Sequence, residues 1–147
     1  MEKTTRLTGI VLGASAIVLG AFGAHAFKEV LDAASMESYK TAVNYQIYHA
    51  FFLLLLGSLQ ANSKSANRAQ LTSHHPKNQP VNGSIIYYLC VIGVLLFSGS
   101  IYFLLLNKHV VLIEQVKYIA LITPVGGLLL ILSWILLGVH LIKNKFD

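Results

Sequence analysis

Polar and apolar residues fall in long blocks along this chain, not in the short alternations of a soluble fold. Four blocks are predominantly apolar: Leu7–Phe27, a stretch from Ala42 to Leu59 inside a helix starting near Ser35, Ile85–Leu106, and Tyr118–Ile142. A helix rising about 1.5 Å per residue needs about 20 such residues to cross a hydrocarbon layer about 30 Å thick. Backbone groups in lipid must pair within their own segment, so each block predicts a transmembrane helix despite its β-branched residues. The expected fold class is an all-α integral membrane protein. Its single domain over residues 1–147 is a four-transmembrane-helix bundle, with helices at about 7–27, 35–59, 85–106 and 118–142.

Gln60–Gly83 is rich in Asn, Ser, Gln and Lys, contains Pro76 and Pro80, and shows no apolar periodicity, which predicts a polar surface loop. His74 and His75 in that loop are a poor metal chelate without further ligands. The first apolar block has a rival reading as a signal peptide, with Lys3 and Arg6 before it and Ala24-His25-Ala26 at its end. A signal core is only about 7–15 residues, so a retained helix is the better reading.

Composition agrees with lipid as the solvent. Hydrophobic residues make up 55% and charged residues 12%, against about 45–50% and about 25% in soluble domains. The formal charge of +5 lies in the segments between apolar blocks, where cations meet headgroups, so nucleic acid is not an expected partner. With the N-terminus cytoplasmic, Lys3, Arg6, Lys64, Arg68, Lys77, Lys143 and Lys145 fall inside, and Lys28, Lys40, Lys108 and Lys117 outside. Seven cations against four predicts an N-in/C-in topology. Cys90 is the only cysteine, so no intramolecular disulfide forms; inside an apolar block it reads as a small packing residue.

Small residues at Gly9, Gly13, Ala16, Gly20 and Ala24 recur at spacings of three and four and predict a close helix contact. Their functional alternative is a narrow groove for a lipid or quinone tail. On the fourth helix Thr123, Gly127, Leu130 and Trp134 share a face, and Pro124 removes a donor and crowds the carbonyl of Ala120, which predicts a kink or a freed acceptor. On the second, Tyr45, His49, Phe52 and Leu56 form a stripe flanked by Gln46 and Tyr48. Taking Ala42 as the outer boundary, His49 lies about 10 Å deep. An ionisable group there is either a binding residue or a neutral imidazole that hydrogen-bonds a neighbouring helix. His25, Ser98, Ser100 and Thr123 fall in the same outer leaflet, so the candidate polar cluster is His25, Tyr45, Gln46, Tyr48, His49, Ser98, Ser100 and Thr123. His25 points nearly opposite the small-residue stripe and fits headgroup level as well.

Gly20-Ala-Phe-Gly-Ala-His-Ala26, Thr41-Ala-Val-Asn-Tyr-Gln-Ile-Tyr-His-Ala50, Leu96-Phe-Ser-Gly-Ser-Ile-Tyr102 and Ile122-Thr-Pro-Val-Gly-Gly127 with Trp134 follow one another in order. Together they resemble the YgdD/YwdK-type small membrane proteins, domain of unknown function 423, with the animal transmembrane protein 256 as a relative. The resemblance spans nearly the whole chain. It implies a four-helix bacterial inner (plasma) membrane protein and no enzyme class. Its motif positions correspond here to Gly20, Gly23, His25, Tyr45, Gln46, Tyr48, His49, Ser98, Gly99, Ser100, Thr123, Pro124, Gly126 and Gly127. The departure is Gln60–Gly83, longer and more polar than the family's usual connection.

Three functions compete. The favoured one is a structural or accessory subunit that docks a larger membrane-protein complex or forms a homo-oligomer. The second is a binding module or carrier for a metal ion, a quinone or a small solute in the outer-leaflet polar pocket. The third, an enzyme with Ser98 or Ser100 beside His49, lacks support, because the acidic residues Glu2, Glu29, Asp32, Glu37, Glu114 and Asp147 all lie outside the four blocks. No catalytic set or resident metal is predicted, and the residues leave any cofactor unknown.

Overall fold

The computed structural model of the protein describes residues 1–70, 83–110 and 117–146, with side chains for all of these except 66–70, 108–110, 117–118 and 144–146. Its helices are α1 (Glu2–His25), α2 (Ala33–Gln70), α3 (Gly83–Val110), the single turn α4 (Lys117–Ala120) and α5 (Ile122–Phe146). Among the described residues there is no strand. Glu2–His25, Ala33–Ser65, Gly83–Asn107 and Ile122–Lys143 are each long and apolar enough to cross a membrane.

Local chemistry sets the helix ends. Asp32 caps α2: its carboxylate accepts the Ser35 amide at 2.8 Å and its carbonyl the Met36 amide at 2.9 Å, satisfying donors that a helix start leaves without partners. At the far end α2 runs on through Gln70, so the first part of the loop expected from Gln60 is helical. Polarity suggested a loop there, yet Gln60–Gln70 contains no Gly or Pro and is rich in residues that a helix accepts. Thr5 on α1 donates to Gln60 Oε1 at 3.2 Å and Lys64 pairs with Glu2 at 3.3 Å, anchoring this extension. His74, His75, Pro76 and Pro80 lie outside the described residues.

The fourth apolar block was expected as one helix from 118 to 142 and is interrupted at Leu121. Pro124 explains the break. A continuous helix would press its ring onto the carbonyl of Ala120. Ending α4 at Ala120 and restarting at Ile122 places the proline in the first turn of α5, where its missing N–H is not needed.

Neighbouring helices run antiparallel. The α1–α2 contact extends from Gly9 beside Ala50 to Gly23 beside Tyr39, α2–α3 from Gln60 beside Gly83 to Tyr39 beside Tyr102, and α3–α5 from Gly93 beside Leu130 to Ser100 beside Thr123. α2 and α3 therefore occupy the middle, with α1 packed on α2 and α5 on α3. Lipid supplies no hydrophobic force between helices, so close backbone approach and interhelical hydrogen bonds must hold them. A Cβ on Gly9 would stand 2.9 Å from the Ala50 carbonyl oxygen, and one on Gly126 would collide with the backbone nitrogen of Phe97. Gly13 and Gly20 lie at ordinary contact from Ala50 and Val43, Ala16 is fully buried, and Gly127 faces the Phe97 ring. Ala24 is exposed; Gly23, three residues after Gly20, takes the place expected of it and leaves room for the Tyr39 ring.

Candidate functional site

The expected polar cluster separates into distinct groups, each built around a different helix contact. Gln46 forms the most connected one. Its amide nitrogen donates to the Leu12 carbonyl at 3.0 Å and to Ser15 Oγ at 2.8 Å, both on α1, and its amide oxygen accepts from the Tyr102 hydroxyl of α3 at 3.0 Å. Both amide hydrogens and the carbonyl are engaged, so one buried side chain ties three helices.

His49 lies one helical turn further along α2. Its Nδ1 is 2.8 Å from the Tyr45 carbonyl and its Nε2 accepts from the Trp134 indole N–H at 3.3 Å. A carbonyl only accepts and an indole N–H only donates, so this pair of contacts fits the neutral imidazole with its proton on Nδ1. Phe52 packs on Trp134 at 4.7 Å between ring centroids and Tyr45 stacks on Phe97 at 4.5 Å, enclosing the imidazole in aromatic surface. The sequence reading put His49 about 10 Å below an outer boundary taken at Ala42. From there toward its start, α2 stays paired with its neighbours, at Ala42 with Ser98 of α3 and at Tyr39 with Leu19 of α1.

Ser98 donates to the Ala42 carbonyl at 2.8 Å, and Ser100 meets Thr123 at 2.6 Å and the Phe97 carbonyl at 2.9 Å. Neither serine bonds the imidazole, whose two nitrogens are engaged elsewhere. His25 is exposed at the C-terminal end of α1 and does not join Gln46 or His49. The structure thus brings together His49, Tyr45 and Trp134 in one group, Ser100 and Thr123 in a second and Gln46 with Tyr102 in a third. Among the described residues, no three His, Cys, Asp or Glu side chains are placed to hold a metal ion.

Tyr45 and Tyr48 behave differently from the rest. Tyr48 is 57% exposed and Tyr45 39%. Their rings stand 6.3 Å apart, Tyr48 on the outward side of α2 and Tyr45 at the edge of its contact with Phe97, with neither hydroxyl hydrogen-bonded among the described residues.

Several partners escaped the sequence reading: Ser15 and Tyr102 around Gln46, Tyr39 donating to the Leu19 carbonyl at 2.6 Å, and Thr8 meeting Tyr87 at 3.1 Å. Tyr102 closes the third motif and Ser15 lies between Gly13 and Ala16, so both were in view as residues. Their pairing needed the helix register.

Comparison with known proteins agrees with this architecture. Residues 19–127 match the family model described as "Protein of unknown function (DUF423)". A UPF0382 membrane protein of Staphylococcus epidermidis is 32% identical over 138 residues, covering 91% of this chain and 94% of its own. YwdK of Bacillus subtilis, also a UPF0382 membrane protein, is 32% identical over 91% of this chain and 95% of its own. A Haemophilus influenzae UPF0382 membrane protein is 30% identical over 97% and 98%. No solved structure matches. With its four spans and motifs in order, the chain is a membrane protein and belongs to the DUF423 family.

Proposed function

We propose that this protein is a non-enzymatic structural or accessory subunit of the bacterial inner membrane, with both termini cytoplasmic, that docks another transmembrane protein through the Tyr45–Tyr48 side of α2. The observation that carries this reading is the contrast between buried and outward polar groups. Gln46, His49, Ser98 and Ser100 are engaged inside the bundle. The hydroxyls of Tyr45 and Tyr48 have no partner among the described residues, and both side chains are exposed at the bundle surface.

A phenol hydroxyl lacking an acceptor in hydrocarbon is costly, by several kcal/mol on transfer scales. Tyr48 is nine residues along α2 from Tyr39, about 14 Å further into the span at 1.5 Å per residue. A second transmembrane segment presenting carbonyl or side-chain oxygens would satisfy both groups. Trp134, half exposed on α5, extends the same aromatic surface.

The test is site-specific photo-crosslinking in native membranes, with benzoylphenylalanine at Tyr48 and, separately, at Ile17 on the lipid side of α1. A protein adduct of one defined mass is expected at Tyr48 only, and is weakened by Tyr45→Phe. Lipid adducts alone at both positions would refute the docking reading.

A further inference from the structure

A cavity of 210 Å³ lies beneath the α1–α2 turn, where α1 ends, α2 begins and α3 approaches its own end. Leu19, Phe27, Leu31, Tyr39, Tyr102 and Leu105 supply most of its wall. We infer that this cavity takes one acyl chain of a bilayer lipid.

The chemistry of the wall selects a hydrocarbon. The lining is aliphatic and aromatic carbon. Its two phenols are already engaged: Tyr39 donates to the Leu19 carbonyl at 2.6 Å and Tyr102 to Gln46 Oε1 at 3.0 Å. A quinone ring or a carbonyl-bearing solute would therefore enter without a donor for its oxygens, losing hydrogen bonds that it makes elsewhere. Water is excluded for the same reason, since apolar cavities stay dry.

Size and location fit a hydrocarbon chain as well. A dry cavity of about 150 Å³ is enough to bind benzene, so this one admits a run of methylenes. Leu19, Tyr39, Tyr102 and Leu105 belong to the candidate spans, near the ends that meet the α1–α2 turn, so an acyl chain beside the bundle can reach the cavity from the side. An empty void there would leave its lining without dispersion partners that a neighbouring chain supplies. The covering turn is itself apolar: Phe27 and Leu31 contribute to the wall, and Phe27 packs edge-on against Tyr39 at 5.3 Å.

This inference does not depend on the docking surface and is tested separately. The full chain is reconstituted in phosphatidylcholine vesicles containing a phosphatidylcholine with a diazirine on its acyl chain, irradiated, and mapped by mass spectrometry. Carbene adducts at Leu19, Leu31 and Leu105 are expected to exceed those at the outward residues Ile17 and Leu95. Filling the cavity with Leu105→Trp should lower the adducts at Leu19 and Leu31 about tenfold, equivalent to about 1.4 kcal/mol of lost contact, and leave Ile17 unchanged. Leu31→Phe repeats the test by a smaller filling, and unchanged thermal unfolding confirms that each variant folds. Cavity adducts that are absent, no stronger than those outside, or unaffected by filling in both variants would overturn the assignment. Displacement by a short-chain quinone would overturn it in favour of a ring ligand.

Discussion

Replacing Gln46 by Leu removes the side chain that joins α1, α2 and α3, and its effect can be worked out bond by bond. Three hydrogen bonds are lost: to the Leu12 carbonyl, to Ser15 Oγ and from the Tyr102 hydroxyl. Interhelical hydrogen bonds in lipid average about 0.6 kcal/mol, so the three together come to about 2 kcal/mol. Their residual partners differ. Ser15 keeps its bond to the Leu12 carbonyl at 3.0 Å, so α1 is left with no orphaned group. Tyr102 loses its acceptor.

Tyr102→Phe alone should therefore cost about 0.6 kcal/mol. In the Gln46→Leu background it should be neutral or stabilising by up to about 1 kcal/mol, because it removes an unsatisfied hydroxyl. The coupling between the two sites is then about 1 kcal/mol, within the range for side chains in direct contact. Unfolding in mixed micelles by titration with a denaturing detergent, followed by the fluorescence of the single tryptophan Trp134, measures all four corners of the cycle. Additive effects, or a Gln46→Leu loss below about 0.5 kcal/mol, would show that Gln46 is not the three-helix tie described.

Further outcomes follow from the same geometry. Gly126→Ala should destabilise by about 1–3 kcal/mol, because its Cβ meets the backbone of α3 at Leu96 and Phe97 and neither atom can rotate away. Gly99→Ala, three residues from Leu96, should be neutral or stabilising by up to about 1 kcal/mol, since nothing lies within 4 Å of its Cβ; equal effects in a detergent unfolding assay would refute the packing of α5 on α3. His49→Leu should move the single indole N–H resonance of Trp134 upfield in a ¹H–¹⁵N spectrum, and an unmoved signal would refute the Trp134–His49 bond. With Cys90 buried, cysteines introduced at Lys3 and Lys143 should both be labelled from the cytoplasmic side by an impermeant maleimide, and labelling from opposite sides would refute the N-in/C-in topology.

Much of the architecture was legible because it is locally dictated. A segment in lipid has to satisfy its own backbone, so apolar length alone marks each span. The glycine spacing on α1 likewise announced a face of close approach. The places where the reading departed from the structure are those governed by neighbours. Gln60–Gln70 is polar, yet contacts from Thr5 and Glu2 lie along its start and it continues α2. Ala24 has the right size and spacing, but the Tyr39 ring fits over Gly23. Pro124 was rightly a site of disruption; that the chain would break before it at Leu121, and so return the proline to a first turn, depended on how α4 and α5 divide the segment.

The sequence by itself determined that this chain lives in a membrane, how many times it can cross, and which side chains are costly to leave in lipid without a partner. Those properties belong to single segments and their transfer from water. Only the tertiary structure decided what each polar group would bond to: Gln46 three helices, His49 a carbonyl and an indole, Ser98 the backbone of α2, and the two tyrosines nothing among the described residues. The reason is that a hydrogen bond forms over about 3 Å, a distance that depends on the register between helices that hydropathy does not encode.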